Sequence, residues 1–315
     1  MKVLVTGGAG FIGSNFVELI LHGEFPEITD VVVLDKLTYA GSLDNLSFAS
    51  GSKHFKFFHG DICDPIAVNL AVQGVDAVLN FAAESHVDRS INDSSKFIRT
   101  NVLGVQVLLE ASLKNRVKRF LQVSTDEVYG SISSGSWNEE EPLLPNSPYA
   151  ASKASADLLV RSYNKTHQLN TIITRCSNNY GQHQYPEKFI PLSISRLLSG
   201  KKIPIYGDGL NVRDWLHVKD HCRGIALALT KGEPGEIYNI GGGTELTNIE
   251  VASKLVKLLN LNETYFEFVE DRKGHDFRYS VDWSKIKSLG YSPSIPWESG
   301  ITETVSTYKR DIENG

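Results

Sequence analysis

The chain has 315 residues, 41% hydrophobic and 22% charged, with a net charge of −5, an ordinary globular composition long enough for two lobes. This excludes a basic field for nucleic acid or an anionic membrane surface. Its three cysteines, with no C-x-x-C spacing, argue against a disulfide framework or a structural zinc site.

No apolar run approaches bilayer-spanning length, and "MKVLVTGG" leads straight into a strand, so the reading expects a cytoplasmic protein. In chain order the expected strands are 2–6, 31–35, 55–60, 77–82, 119–124 and 171–175, with helices at 11–22, 65–73, 94–115 and 149–168. Continuous apolar strands alternating with helices predict an α/β fold, a parallel sheet covered on both faces. After residue 176 the rhythm changes. The polar and aromatic stretch 177–189 reads as an ordered loop, followed by a helix at 190–200, a strand at 235–243 and a helix at 248–260. The expected division is a dinucleotide-binding domain, 1–176, to which segments around 218–243 return, and a smaller C-terminal α/β lobe, 177–315.

The first turn, "VLVTGGAGFIG" (3–13), satisfies G-x-G-x-x-G through Gly8, Gly10 and Gly13, and G-x-x-G-x-x-G through Gly7, Gly10 and Gly13. Glycines there permit a tight turn and close approach of a pyrophosphate to a helix N-terminus, the mark of a Rossmann-type doubly wound sheet. Asp35 ends the next strand, where an acid bonds a ribose hydroxyl. It would repel a 2′-phosphate and so favours NAD over NADP, with adjacent Lys36 acting against that preference. Asp61 and Ile62 suit the edge and face of an adenine, although Asp61 could equally cap a helix starting at Pro65.

"YAASK" (149–153) sets Tyr149 and Lys153 on one helical face. A free tyrosine, with a pKa of about 10, is a poor base at neutral pH, and a close ammonium is expected to lower that value. Alone, the spacing also fits a solvated helix face. Beside a dinucleotide site it predicts an alcohol-oxidising pair, with Tyr149 taking the proton and Thr125 placed to bond the same hydroxyl. "STDEVYG" (124–130) adds Asp126 and Glu127 directly after a strand. Locally they read as a turn or helix start. Strand side chains alternate between faces, so the two share a pocket only if the strand has ended at Thr125.

Through "TGGAGFIG", Asp35, "VST" and "YAASK" the chain resembles the extended short-chain dehydrogenase/reductase superfamily. Through "AAESHVDRSI", "STDEVYG", "RCSNNYGQHQYPEKFIP", "PIYGDGLNVRDWLHV" and "DRKGHDFRY" it resembles, within that superfamily, the nucleotide-sugar 4,6-dehydratases, with Lys273 where their pattern has proline. The resemblance implies dTDP-glucose as substrate and a tightly held NAD that is regenerated each turnover. It implies oxidation at C4, loss of water across C5–C6 with Glu127 as base and Asp126 as acid, and return of hydride to C6. It also brings Phe11, Ile12, Leu37, Thr38, Ala82, Ala83, Thr100 and Asn179 to the cofactor. Ser85, Asn178, Glu187, Lys188, Arg196, Pro204, Tyr206, Arg213, Asn248, Arg272 and His275 come to the nucleotide sugar.

His217 and His221, spaced H-x-x-x-H without a third ligand, read as structural, and no metal is expected. "SGSWNEEEP" (134–142) reads as an exposed loop. Apolar residues beyond one stripe, Val102, Val105, Leu108 and Leu109 on one helix and Leu158, Leu159 and Val160 on another, join the superfamily pattern in predicting a homodimer through a four-helix bundle. Two other readings stay open. A nucleotide-sugar 4-epimerase shares the cofactor and Tyr/Lys pair but generally lacks the adjacent acids. An idle NAD-binding scaffold would show a damaged Tyr/Lys pair.

Overall fold

The computed structural model describes residues 1–314. Its strands are β1 (Lys2–Thr6), β2 (Asp30–Asp35), β3 (Phe55–His59), β4 (Ala77–Asn80), β5 (Arg119–Thr125), β6 (Thr171–Cys176), β7 (Asn178–Tyr180), β8 (Ile203–Tyr206), β9 (Val212–His217), β10 (Ile237–Ile240), β11 (Glu245–Thr247) and β12 (Phe266–Val269). Seven form one sheet in the order β10-β6-β5-β4-β1-β2-β3, and every neighbouring pair in it is parallel. The strands of β1, β4 and β5 are buried on both faces because helices cover both. One core contains Val3, Val5, Phe16, Leu121 and Ile225, and the opposite one Leu4, Val78, Leu108, Phe120 and Val160.

The chain leaves β1 toward β2 and β3 on one side, then crosses back to β4 on the other. That reversal opens a crevice outside the carboxyl ends of β1 and β4, where open α/β sheets bind ligands. A three-stranded sheet, β11-β9-β7, and a two-stranded pair, β12-β8, make up the second region. It has its own core of Ile190, Ile194, Ile205, Trp215, Leu255 and Ile301.

Several expectations are corrected. The stretch 177–189 is not all loop: Asn178–Tyr180 pairs parallel with β9, because Tyr180 is buried among Trp215, His217 and Trp297. The helix expected over 94–115 is present without a break over 95–114, but its stretch Ile98–Leu103, between Ser95–Phe97 and Gly104–Lys114, is a π-helical turn. The stretch 134–142 is largely exposed, as expected, and it is also fastened. Trp137 bridges to Val281 and donates to the Gly130 carbonyl, and Glu139 accepts from the Asn239 N–H at 2.8 Å. Of the apolar residues expected to be surplus, Val105, Leu108, Leu109 and Val160 are core residues, Val102 and Leu159 are half-buried and Leu158 is exposed; outside that set, Ile98 and Leu103 are exposed too.

Candidate active site

The glycine turn closes without room for side chains. Gly7 has φ +68°, and a Cβ on it would lie 2.7 Å from the Ala82 Cα; a Cβ on Gly13 would lie 2.3 Å from the Gly7 carbonyl oxygen. Both approaches are impossible for any other residue, so the turn sits flush against β4 and leaves the N–H groups at the start of helix Phe11–Leu21 facing the crevice. Asp35 holds the loop beside it, accepting from the Ala9 N–H at 2.9 Å and from the Leu37 N–H at 2.8 Å. Leu37 takes φ 52° and packs on the core rather than lining the cleft. Lys36 is engaged: its Nζ lies 2.7 Å from Asp61 Oδ2, which occupies the charge that could have met a 2′-phosphate. Asp61 does not cap the next helix. Asp64 does, its carboxylate accepting from the Ile66 N–H.

One continuous cleft runs from this turn to the acid pair. Its walls include Gly7, Gly10, Phe11, Ile12, Gly13, Asp35, Lys36, Thr38, Asp61, Ile62, Ala82, Ala83, Thr100, Tyr149, Lys153 and Asn179. They also include Ser85, Thr125, Asp126, Glu127, Asn178 and Lys188. Glycines that forbid a Cβ, an acid at the ribose position and an apolar Ile62 beside Asp61 fit a dinucleotide such as NAD.

β5 ends at Thr125, and a 3₁₀ turn, Asp126–Tyr129, begins there. The Thr125 hydroxyl caps it, accepting from the Glu127 N–H at 3.3 Å. The turn breaks the strand alternation, so both acids line the same cleft. Their surroundings differ. Asp126 is 3% exposed; burial, then Glu127 and Asp214, push its carboxyl well above the usual range, and its Oδ2 has no hydrogen-bond partner among the described residues. Burial also raises Glu127, but Arg272, Lys188 and Arg213 pull it back toward the carboxylate. Neighbouring acids with opposed surroundings suit an acid and a base.

Helix Pro148–His167 carries Tyr149 and Lys153 into the cleft. The expectation that Lys153 lowers the Tyr149 pKa is not met. The Lys153 ammonium donates to the Val123 carbonyl at 2.7 Å. Burial, then Glu127, Cys176 and Asp126, push the Tyr149 phenol well above its ordinary value, with only the Thr125 hydroxyl acting against them.

On the sugar side, Lys188 donates to the Ser85 carbonyl at 2.7 Å, and Glu187 pairs with Arg89 at 2.7 Å. Arg272 lies 3.7 Å from Asp88 and over the Tyr206 ring, whose hydroxyl donates to Asp88 at 3.4 Å. His275 meets Asp271 at 2.6 Å, and its buried Nε2, like Asn178 Oδ1, has no partner among the described residues. Arg213 is buried over Tyr279, donating to the carbonyls of Val212, Asp276 and Phe277. Pro204 is on β8, and Asn248 opens helix Asn248–Leu258. Arg196 stands apart, donating to the Lys202 carbonyl and facing Glu267. The two histidines are engaged separately. His217 caps helix Val218–Lys231, and His221 bonds Asn179 Oδ1 at 2.9 Å; burial lowers them to about 4 and about 3.

Sequence reading missed Ser124, Cys176, Ser177, Gln184 and Tyr185 in the cleft wall. Ser124, Cys176 and Ser177 lie at the carboxyl ends of adjacent strands, the one signal that could have found them.

The fold and site define an NAD-dependent oxidoreductase-type sheet carrying an extra acid pair. Residues 4–304 match the family described as GDP-mannose 4,6 dehydratase. The chain is 55% identical over 98% of its length, and 98% of the other's, to a dTDP-glucose 4,6-dehydratase of Actinoplanes sp.. The dTDP-glucose 4,6-dehydratase DesIV of Streptomyces venezuelae, solved with NAD bound, is 53% identical with a TM-score of 0.98, covering 99% of this chain and 98% of that one. A Thermus thermophilus UDP-glucose 4-epimerase complex with NAD is 32% identical with a TM-score of 0.89, covering 98% and 99%. The chain belongs to the extended short-chain dehydrogenase/reductases and, within them, to the dTDP-glucose 4,6-dehydratase family.

Proposed function

We propose that the protein converts dTDP-glucose to dTDP-4-keto-6-deoxyglucose and water, as an NAD-dependent hydro-lyase. The observation that carries this reading is the Asp126–Glu127 turn at the end of β5, facing the cleft that holds Tyr149 and Lys153. An epimerase of the same fold needs no such pair. NAD, when bound, would supply the hydride acceptor for C4, a positive ring charge and the hydride donor for C6.

The glycine turn, Asp35 and Asp61 hold the dinucleotide, and Lys153 orients its nicotinamide end. Thr125 would bond the C4 hydroxyl, and Tyr149 would accept its proton as a phenolate, the form that the positive ring charge of bound NAD would favour against the burial that raises its pKa. The ketone at C4 makes the C5 proton acidic. Glu127, whose carboxyl burial raises and three cations draw back toward its ionised form, takes that proton. Asp126, kept toward its protonated form, gives a proton to the departing C6 hydroxyl, so charge balances across the two neighbouring carbons. Lys188, Arg213 and Arg272, with Asn178 and His275, meet the sugar diphosphate.

We assign residues 1–176, with 218–243, to the cofactor lobe and the rest mainly to the nucleotide-sugar lobe. Two copies pair through the exposed Ile98, Leu103 and Leu158 faces. No helix among the described residues is long and apolar enough to cross a membrane, and we assign the enzyme to the cytoplasm on the strength of its nucleotide-sugar substrate. Incubation with dTDP-glucose and with UDP-glucose, with product identified by mass and NMR, tests the reading. A 4-keto-6-deoxy product from dTDP-glucose is expected; a C4 epimer without loss of water overturns it.

A further inference from the structure

The helix that carries Tyr149 and Lys153 also carries a buried charged group that the chemistry above does not use. Asp157 follows Lys153 by four residues on helix Pro148–His167, so the two share a helical face one turn apart. It is 1% exposed. Its Oδ2 accepts from Arg175 Nε on β6 at 2.9 Å, while its Oδ1 makes no hydrogen bond among the described residues. Arg175 is itself buried, and its second contact is the Tyr129 hydroxyl at 2.8 Å, which donates to Asn239 Oδ1 at 2.9 Å. Lys153 has one hydrogen bond, to the Val123 carbonyl, although an ammonium carries three donors.

We propose that Asp157 is a positioning residue for the active site: buried one helical turn from Lys153 and with one oxygen tied to Arg175, it is the fixed counter-charge that holds Lys153 as an ammonium inside the protein. The proposal rests on the reading of Lys153 as part of the oxidising pair.

The electrostatics support it. Burial lowers the Lys153 pKa, and Asp157 is the larger of the two groups that oppose this, the other being the Cys176 thiol on β6. The Asp157 carboxyl is raised by burial and drawn back by Arg175, the Ser124 hydroxyl on β5 and Lys153. Burial, Glu127 and Asp126 push Tyr149, one turn before Lys153, toward the neutral phenol, and the Val123 carbonyl carries no formal charge, so Asp157 is the carboxylate on the same helical face as the ammonium. The alternative role for Asp157 is to neutralise Arg175, since a buried guanidinium without a partner is strongly destabilising.

The experiment separates the two roles by titrating Lys153 in full-length protein selectively labelled with ¹³Cε-lysine, the resonance being assigned with Lys153→Arg. The variants are Asp157→Asn, Asp157→Glu and the double change Asp157→Leu/Arg175→Met, which removes both charges and keeps the volume. An opposite charge within a few ångströms moves a pKa by about 1–3 units. Lys153 is therefore expected to titrate at least about one unit lower in Asp157→Asn, and equally low in the double variant after its stability has recovered. Asp157→Glu should restore most of the shift. The alkaline limb of C4 oxidation of dTDP-glucose should move down with it. Unchanged Lys153 titration in Asp157→Asn, or in the double variant should the single one not fold, overturns the proposal and leaves Asp157 as the partner of Arg175 alone. Because the NMR readout does not depend on turnover, a shifted titration without any dehydratase activity would count against the proposed reaction and not against the role of Asp157.

Discussion

Asp126 and Glu127 are consecutive in the chain and line one cleft, yet Asp126 faces Asp214 while Glu127 faces Arg272, Lys188 and Arg213. In the proposed reaction the division of labour between an acid and a base would follow from those surroundings, not from the two side chains, which are chemically near-identical.

The single variants should stop at different points. Glu127→Gln is expected to form 4-ketoglucose but not to exchange the C5 hydrogen with solvent deuterium. Asp126→Asn is expected to form the ketone, exchange C5 and stall before water leaves. Turnover should fall about 10²–10⁴-fold in each. Mass and NMR analysis of quenched reactions checks this; near-normal turnover in both would return the pair to a structural role.

Tyr149→Phe should fail earlier than either acid variant, giving no 4-keto sugar and no C5 exchange. Accumulation of ketone at the native rate in this variant would remove Tyr149 from the oxidation step.

The elimination step should show a bell-shaped pH dependence. Glu127 must be ionised, so the rate falls on the acid side; Asp126 must be protonated, so it falls on the alkaline side as pH passes its raised pKa. Because the two carboxyls interact, the limbs belong to the pair. Asp126→Asn should lack the alkaline limb in the residual rate, measured by stopped-flow or quench with preformed ketone.

Asp126 should also weaken the fold at neutral pH. Its folded-state pKa lies above the unfolded value, so the stability present at low pH falls as pH rises from the unfolded pKa through the folded one. Asp126→Asn is therefore expected to raise Tm by a few degrees at neutral pH, with the difference vanishing at acid pH, in calorimetry at several pH values. A lower Tm at neutral pH would contradict the burial argument.

Gly13→Ala should abolish retention of NAD, since the added Cβ meets the Gly7 carbonyl oxygen at 2.3 Å. Cofactor content of the purified variant, read by chromatography after denaturation, should drop from near one equivalent per chain to near none.

Much of this protein is determined locally. Apolar runs such as "KVLVT" and "RFLQVST" become strands of a covered sheet at nearly the expected residues, because a buried parallel strand needs only continuous hydrophobicity. The glycine turn and Asp35 lie close together in sequence, so spacing alone locates that end of the cleft. Tertiary structure decided what depends on distant neighbours. That Thr125 ends β5 and turns both acids inward is a hydrogen-bonding event in a 3₁₀ turn. That Lys153 reaches the Val123 carbonyl and not the Tyr149 ring depends on how a helix packs on a strand. The Asp126 carboxyl is raised by burial, then by Glu127 and by Asp214 on β9, and the Glu127 carboxyl is raised by burial and drawn back by cations from three separate parts of the chain. Charge in a buried site responds to everything within a few ångströms, and only the folded chain brings those groups together.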